Sequence, residues 1–252
     1  MVPARARSAV SSPALVVGGA SGIGAALVER YRAEGRQVVV WDRAAPGDVV
    51  CDIADPAQID AALRRTVADH GLPREVSVTA GIGHAGSLAE AAPEEWDHVM
   101  AVNARGPWLC MRSVARALMA SGLSGSFVAT SSVSAHLADR VMGLYCASKA
   151  ALGMVVKVAA AEWAHAGIRV NAVAPGVTAT PMVGAPPDSA WLRGVAARTA
   201  LGRLGSADDV AQAISSLHAM SWVTGQIVDC DGGLSLYSPI SPPHPVPGDR
   251  PR

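Results

Sequence analysis

The sequence predicts a single α/β domain, in which a doubly wound parallel sheet carries helices on both faces. Short β-branched runs alternate along the chain with longer segments of helical period, as successive βαβ units require. The composition is 50% hydrophobic but only 4% aromatic, with 25 glycines, which suits small aliphatic side chains packed closely between helices and a sheet. A length of 252 residues is enough for one such domain or at most two.

Six strands are predicted from the β-branched runs, and the clearest helix follows the first of them. The helix is predicted because Ile23, Ala26, Leu27, Arg30 and Tyr31 share one face, and Gly35 supplies a C-terminal stop. The predicted strands are residues 14–17, 37–41, 75–79, 126–131, 169–174 and 226–229.

The two ends of the chain are expected to lie outside this domain. Residues 1–12 carry two arginines but no apolar run of signal-peptide length, so we expect a flexible arm. Residues 239–252 contain six prolines, which exclude a helix or an interior strand and predict an extended tail. The predicted dinucleotide-binding and catalytic domain is therefore 13–238.

Charge and cysteine usage exclude several classes of protein. With 21 basic and 21 acidic residues the formal net charge is +0, which disfavours nucleic acid and anionic membranes as partners. The four cysteines form no CxxC pair and the seven histidines form no clustered ligand set, so no metal site is expected. Residues 154–161 are apolar, but Lys157 interrupts them, so we expect no membrane span and a cytoplasmic chain with reduced thiols.

A glycine-rich turn joins the first predicted strand to the first predicted helix. Its order is Gly18-Gly19-Ala20-Ser21-Gly22-Ile23-Gly24, a GxxxGxG pattern. Glycines let the backbone approach a ligand, and the start of the helix offers free N–H groups to a pyrophosphate. The strand-turn-helix context favours a phosphate cradle formed by Gly18, Ser21, Gly22, Ile23 and Gly24; the alternative is a tight loop without a ligand.

An aspartate ends the second predicted strand and bears on the choice of dinucleotide. Asp42 lies twenty residues after Gly22, where a carboxylate accepts hydrogen bonds from both ribose hydroxyls and repels a 2′-phosphate. NAD is therefore favoured over NADP, although Arg43 offers a charge to a phosphate and Asp42 has the alternative of an ordinary turn residue. Asp52, with Ile53, is a weaker candidate for the adenine edge.

A tyrosine and a lysine lie four residues apart, at Tyr145 and Lys149, and hence on one face of a helix. A tyrosine has an ordinary pKa of about 10, and a fixed positive charge nearby stabilises the phenolate. Taken alone, the spacing is equally typical of a half-buried tyrosine beside a solvated lysine. Ser132, at the end of the fourth predicted strand, and Asn103 further upstream add two polar groups in the right order.

With these motifs the chain resembles the short-chain dehydrogenase/reductase family in its short one-domain form, over roughly residues 13–236. The resemblance implies a Rossmann-like fold and an enzyme that uses NAD(H) to interconvert a secondary alcohol and a ketone, with a small-molecule substrate. It implies that Tyr145 is the general acid/base and that Ser132 orients the substrate oxygen. Lys149 would bind the nicotinamide ribose and lower the tyrosine pKa, and Asn103 would hold a water in the proton relay.

The resemblance extends to further cofactor contacts and to assembly. Residues 175–182 resemble the family's PGxxxT segment, in which Thr180 and Val177 approach the nicotinamide. The other cofactor contacts implied are Ala80, Gly81, Pro175 and Gly176. It also implies a homotetramer, joined by the two long helices and by the last strand.

Two departures from the family pattern concern the sheet beneath the cofactor. Val17 stands where the family usually has threonine, and Val78-Thr79 stand where it usually has two asparagines. The catalytic residues are unaffected, but we expect these changes to bear on affinity for the adenosine side and on local stability.

Several alternatives stay open from the sequence. An NADPH-dependent 3-oxoacyl thioester reductase and a non-catalytic nucleotide-binding protein are the rival functions. His84 and His136 are either pocket residues or ordinary loop histidines. If residues 181–203 form a mobile lid, its apolar side chains line the substrate site. Those side chains are Met182, Val183 and Trp191, with Met142 opposite.

Overall fold

The computed structural model describes residues 12–44, 47–186 and 188–236. Apart from Ser12, the arm expected at residues 1–12 lies outside the described residues, and so does the tail expected at 239–252. Ser12 itself is held at the start of the domain, because its hydroxyl donates to the Leu72 carbonyl at 2.7 Å and accepts from the Arg74 N–H at 3.0 Å.

Seven parallel strands form the central sheet in the order β3-β2-β1-β4-β5-β6-β9. The strands are β1 (Ala14–Val17), β2 (Val38–Asp42), β3 (Val49–Val50), β4 (Glu75–Val78), β5 (Gly125–Thr130), β6 (Ile168–Pro175) and β9 (Ile227–Cys230). Two short strands, β7 (Thr178–Ala179) and β8 (Gly205–Ser206), pair separately. The strand order reverses between β1 and β4, and the ligand crevice of such sheets lies at that point, beyond the carboxyl ends of the strands.

Helices cover both faces of the sheet, as the sequence predicts. They are α1 (Gly22–Ala33), α2 (Pro56–His70), α3 (Pro93–Met100), α4 (Gly106–Ala120), α5 (Gly143–Trp163), α6 (Ala190–Arg198) and α7 (Ala207–Ala219). Helices α2, α4 and α5 contribute to one hydrophobic cluster, and α1 and α7 contribute to the other. Leu15 and Val17 face the first cluster while Ala14 and Val16 face the second, which is why β1 is apolar at every position.

The predicted strands are confirmed with ends displaced by one residue or less, and the two-residue strands were not predicted. The face predicted for α1 is only partly correct. Leu27 and Tyr31 are buried, but the Arg30 guanidinium leaves the core and bonds to Asp208 of α7 at 2.7 Å. Gly35 follows the helix with φ +72°, which agrees with its predicted role as a stop.

Residues Gly143–Ala166 are long and apolar enough to cross a membrane by length and composition alone. In the structure α5 packs against the sheet, and Leu152 and Val156 belong to the main hydrophobic cluster. The helix also holds Lys149 in a buried position. These contacts are those of a core helix.

A buried histidine that the sequence did not single out lies at the other end of the sheet from the crevice. The ring of His218 on α7 bridges Ser77 of β4 and Ser126 of β5, at 2.9 and 3.0 Å. Burial lowers its pKa to about 4; Glu75 opposes this shift, and Arg169 and Arg36 add to it. The histidine is therefore neutral in the fold at pH values where the unfolded chain protonates it.

This burial predicts acid destabilisation. Between pH 6.5 and 4 the unfolded state binds the proton and the fold does not, so stability falls as the pH falls, by about 3 kcal/mol for a pKa difference of this size. Urea unfolding from pH 4 to 7 measures this loss of stability. His218→Gln keeps polar atoms for the two serines but does not titrate, so the loss should shrink in that variant; an equal loss in both proteins would contradict the assignment.

Candidate active site

The glycine turn after β1 is packed so tightly that side chains at two of its positions would collide with neighbouring backbone. Gly18 has φ +86°, and a Cβ there would lie 2.5 Å from the Ala80 nitrogen after β4. A Cβ on Gly24 would collide with the Gly18 carbonyl oxygen. Gly22 also has a positive φ, of +53°. Glycine at these positions therefore lets the turn pack tightly at the switch point of the sheet, which fits a phosphate cradle.

The start of α1 keeps its N–H groups available to a ligand. Ser21 is the N-cap residue, and its hydroxyl makes no capping hydrogen bond within the described part of the chain. The first turn contains no acidic residue, so the positive end of the helix dipole is not offset there. Ile23 and Gly24 follow in that first turn. These observations fit a bound pyrophosphate.

Asp42 is the last residue of β2, and its carboxylate reaches the cradle. Its Oδ2 accepts from the Ala20 N–H at 2.9 Å, and its Oδ1 accepts from the Ala44 N–H at 3.1 Å. The two bonds hold the carboxylate beside the glycine turn, where a ribose joined to a bound pyrophosphate would lie. Arg43 is exposed next to it.

Asp52 and Ile53, the pair predicted to contact the adenine edge, both make contacts within the protein. The Asp52 carboxylate accepts from the Ala54 N–H at 2.9 Å, which forms a turn within its own segment. The Ile53 side chain is buried against Gly106 at the start of α4. Asp52 itself is exposed, and Ile53 points into the core.

Thr79 links β4 to β1 through hydrogen bonds. The two departures from the family pattern had left this link uncertain. Its hydroxyl donates to the carbonyls of Val17 and Gly18, at 3.0 and 3.1 Å. The Thr79 and Ala80 N–H groups also donate to the Val17 carbonyl, at 2.8 and 3.1 Å. One threonine therefore links the cradle to the neighbouring strand in place of a polar residue at position 17.

Asn103 lies in a single π-helical turn, Ala101–Arg105, between α3 and α4. Such a turn adds a residue to the helical repeat and often marks a functional site. The buried amide is fully engaged: its Oδ1 accepts from the Ile82 N–H at 2.8 Å, and its Nδ2 donates to the Ile82 carbonyl at 2.9 Å and the Ser148 hydroxyl at 3.2 Å. The sequence did not single out Ile82 or Ser148, which share no motif with Asn103.

Lys149 is buried, and this excludes the interpretation of the Tyr145–Lys149 pair as a tyrosine beside a solvated lysine. The Lys149 side chain is 4% exposed, and its Nζ donates to the Thr130 carbonyl at 2.9 Å. The same nitrogen lies 5.6 Å from the centroid of the Tyr145 ring. Burial lowers the pKa of Lys149 to about 8.

Ser132 and Tyr145 meet across the end of β5 and the start of α5. Ser132 caps the short 3-10 turn Val133–Ala135, where its hydroxyl accepts from the Ser134 N–H at 3.2 Å. Burial raises the pKa of Tyr145, while a hydrogen bond with Ser132 lowers it and the charge of Asp139 raises it again.

The net shift in the tyrosine pKa differs from the one that the resemblance implied. Lys149 was expected to lower the Tyr145 pKa, yet in this structure burial prevails and the pKa is raised. The reason is that the ammonium is itself desolvated and bonded to the Thr130 carbonyl, 5.6 Å from the ring centroid.

The segment after β6 closes the crevice from the opposite side. Pro175 ends β6, and the Gly176 N–H donates to the Cys230 carbonyl at 3.2 Å. The Val177 carbonyl accepts from the Gly205 N–H at 3.1 Å, which joins this segment to β8. The Thr180 side chain lies 3.5 Å from the position of a Cβ on Gly22. The predicted nicotinamide segment and the predicted cradle are therefore adjacent.

Gly81 lies where the predicted cofactor contacts meet the predicted catalytic residues. A Cβ there would lie 3.2 Å from Asn103 Oδ1 and 3.3 Å from Lys149 Nζ. A larger residue at this position would require both side chains to shift.

The two loop histidines differ in their surroundings. His84 has its Nε2 3.5 Å from Glu95 Oε1 and is largely buried. His136 is half-exposed, with its Nε2 3.3 Å from Asp229 Oδ2. In the region proposed as a lid, Met182 and Trp191 are exposed, at 54% and 55%. Over residues 12–44, 47–186 and 188–236, no group of three or more His, Cys, Asp or Glu side chains is placed to hold a metal ion.

Comparison with known proteins agrees with this geometry. The family model described as enoyl-(acyl carrier protein) reductase matches residues 18–235. The chain is 34% identical over 242 residues to 2,5-dichloro-2,5-cyclohexadiene-1,4-diol dehydrogenase LinX of Sphingobium indicum, covering 88% of this chain and 96% of that protein.

Two solved structures share the fold over nearly their whole length. Ligand-free aldohexose dehydrogenase of Thermoplasma acidophilum has a TM-score of 0.84 at 28% identity, covering 92% of this chain and 98% of that one. The 3-ketoacyl-(acyl-carrier-protein) reductase from Brucella melitensis, complexed with NADH, has a TM-score of 0.80 at 30% identity, covering 89% and 98%. Agreement in sequence and fold over most of its length shows that this chain belongs to the short-chain dehydrogenase/reductase family of oxidoreductases.

Proposed function

We propose that this oxidoreductase uses NAD(H) to interconvert a secondary alcohol and a ketone on a small or medium, fairly apolar substrate. The observation that carries the proposal is the buried Lys149, held 5.6 Å from the Tyr145 ring in a crevice that also contains Asn103 and Ser132. A buried ammonium without a function would only destabilise the fold. A protein that bound nucleotides without turnover would use Lys149 as a ribose contact, but it would have no need for a proton donor such as Tyr145 beside it.

The chain's residues would handle the proton, while a bound nicotinamide would accept or donate the hydride. In alcohol oxidation the Tyr145 oxygen takes the proton of the substrate hydroxyl, and in reduction it returns that proton to the ketone oxygen. Ser132, whose hydroxyl acts to lower the Tyr145 pKa, orients the same substrate oxygen. Asn103 holds the Ile82 backbone and thereby the loop after β4.

The residues described fit a dinucleotide on both sides of the crevice. Gly18 and Gly24 let the turn fold tightly against Ala80 and against itself at the start of α1, and Asp42 is held beside it. Thr180 approaches from the other side, where it is adjacent to Gly22. We propose that the enzyme acts in the cytoplasm, where its four free cysteines stay reduced.

An acyl thioester reductase that uses NADPH is the second candidate. The relative from Brucella melitensis is a 3-ketoacyl-(acyl-carrier-protein) reductase, which favours this alternative at the level of the reaction. A 2′-phosphate, however, would meet the Asp42 carboxylate, which already accepts the Ala20 N–H at the cradle. Charge repulsion and the loss of ribose hydrogen bonds therefore support NAD.

Cofactor preference tests this assignment. We expect NADH to bind at least about 10-fold more tightly than NADPH, roughly 1.4 kcal/mol, because Asp42 repels the 2′-phosphate. Asp42→Ala should reduce this difference in affinity between the two cofactors. Asp69→Ala, which removes an exposed carboxylate at the end of α2, should leave the difference unchanged. Fluorescence titration with both cofactors measures the gap. Equal affinities in the unmodified protein, or tighter NADPH binding, would favour the second candidate.

We further propose that the chain forms a homotetramer through α4, α5 and the last strand. Met154 and Val158 are exposed apolar residues on α5, at 60% and 47%, and Trp222 before β9 is 99% exposed. Exposed apolar patches of this kind mark interaction surfaces. Sedimentation at micromolar concentration should show four copies of the 25.7 kDa chain, and a monomer would refute the assembly. Removal of residues 239–252 tests whether the tail contributes.

A further inference from the structure

An open cavity lies at the edge of the sheet where the parallel strands begin, opposite to the crevice. It has a volume of about 370 Å³, and its walls include three arginines, one glutamate and two serines from the starts of neighbouring strands. They are Arg36, Arg74, Arg169, Glu75, Ser124 and Ser126. The length of a six-residue strand, roughly 20 Å, separates this cavity from the crevice.

The charges on the walls of this cavity do not balance. The Nη2 atom of Arg36 lies 2.7 Å from Glu75 Oε1, which pairs one guanidinium with one carboxylate. Glu34 lies 3.9 Å from the same guanidinium but is not part of the walls. Guanidinium groups stay protonated in proteins, so Arg74 and Arg169 leave two positive charges on the walls.

The hydrogen bonds of Arg74 and Arg169 fix these two guanidiniums without neutralising them. Arg74 donates from Nε to the Ser124 carbonyl at 2.9 Å and from Nη2 to the Ser124 hydroxyl at 2.6 Å. Arg169 donates from Nη2 to the Ser126 hydroxyl at 2.8 Å and to the His218 carbonyl at 2.7 Å. All these acceptors are neutral. A cavity walled by charges of one sign concentrates ions of the opposite sign.

The rest of the chain contains little negative charge that could balance this cavity. Ser12 is on the cavity wall, and residues 1–11, which precede it, contain two arginines and no acidic residue. Outside the described residues the sequence has one acidic side chain, Asp249, against four arginines. The missing negative charge is therefore best supplied by a ligand.

The charge and the size of the cavity indicate the kind of ligand. Two positive charges match a dianion, whereas a carboxylate would bring only one negative charge. The N–H groups of a guanidinium also match two oxygens of a phosphate group in geometry. The cavity is within the size range of small-molecule sites, so it has room for a phosphate ester as well as for free phosphate.

We propose that this cavity is a second ligand site, which binds a dianionic phosphate group, either free or as an ester of a small molecule. The phosphate oxygens accept from Arg74 and Arg169, while Arg36 stays paired with Glu75. The inference goes beyond the proposed function, because the site shares no residue with the crevice and requires no cofactor.

A phosphorus NMR titration tests the site with glycerol 2-phosphate at pH 8, where the ester is a dianion. NADH is present to occupy the cradle. We expect Arg74→Met to weaken binding by about 10- to 100-fold, because it removes hydrogen bonds between charged groups. Arg64→Met removes an exposed arginine on α2 and should leave the affinity unchanged.

A second pair of variants keeps Arg74 and changes the charge beside it. Ser124→Asp places a carboxylate next to the Arg74 guanidinium, where it should neutralise the charge and exclude phosphate by a similar factor. Ser124→Asn has nearly the same shape without the charge and should keep most of the affinity. This pair decides the matter if Arg74→Met fails to fold.

Competition identifies the source of the phosphate group. Inorganic phosphate should displace the ester, and acetate, a monoanion, should do so at least about 10-fold less well. If inorganic phosphate binds more tightly than the ester, the ligand is free phosphate; if it binds less tightly, the ligand is an ester. Both results support a phosphate site, whereas equal displacement by acetate would overturn it.

Two other outcomes would also overturn this inference. One is that glycerol 2-phosphate does not bind. The other is that its binding is lost when NADH is added and is unaffected by Arg74→Met, which would assign the phosphate to the cradle. If NADH itself does not bind, the proposed function fails, but the comparison of Arg74→Met with Arg64→Met still tests the cavity.

Discussion

Tyr145→Phe is expected to lower turnover by about 10²- to 10⁴-fold, the usual contribution of general acid–base catalysis. The variant keeps the ring at the start of α5 and removes only the hydroxyl that would exchange the proton with the substrate. Cofactor affinity should change little, because the cradle and Asp42 are untouched. Stopped-flow measurement of reduced nicotinamide, together with a binding titration, separates chemistry from binding.

Tyr31→Phe is the matched control for this loss. Tyr31 is buried on α1, below the cradle, so its hydroxyl takes no part in the proposed reaction. Activity should stay within about twofold of the unmodified enzyme in this control. If Tyr145→Phe itself retains near-normal turnover on an alcohol that the enzyme oxidises well, the acid–base role is wrong and the non-catalytic alternative gains support.

Lys149→Met is expected to damage both binding and chemistry. The substitution removes the ammonium that lies 5.6 Å from the Tyr145 ring and donates to the Thr130 carbonyl. By analogy with the loss of one electrostatic donor at a reacting centre, kcat should fall by about 10²- to 10³-fold. Affinity for the cofactor should also fall, because Lys149 is the proposed ribose contact.

The same substitution should also change how the stability of the fold depends on pH, which a change in packing alone would not do. The fold releases the Lys149 proton near pH 8, whereas the unfolded chain keeps it to pH 10.5. The unfolded state binds more protons within this window, so the stability of the unmodified enzyme should rise with pH relative to Lys149→Met. Urea unfolding at pH 7.5 to 10.5 measures the difference.

Lys157→Met is the control for this pH dependence. Lys157 is exposed on the same helix, so its removal should affect neither kcat nor the slope of stability against pH. Parallel stability curves for the unmodified enzyme and Lys149→Met would contradict the lowered lysine pKa.

Local patterns in the sequence determined most of the fold and the identity of the main polar residues. β1 could be predicted from the sequence because a strand buried on both faces is apolar at every position. The turn after it could be predicted because its tight backbone requires glycines. Asp42 was placed by its distance from the glycine turn, and the Tyr145–Lys149 pair by helical periodicity. Each of these features depends on residues close together in the chain.

Only the tertiary structure decided which groups surround these residues and how deeply each is buried. Ser148 and Ile82 bind Asn103 across distances of 45 and 21 residues, so no local pattern predicts them. Burial sets the pKa directions of Lys149 and Tyr145, and it depends on what packs around each side chain after folding. Hydrogen bonds and solvent exposure are properties of the packed chain, whereas periodicity is a property of the sequence.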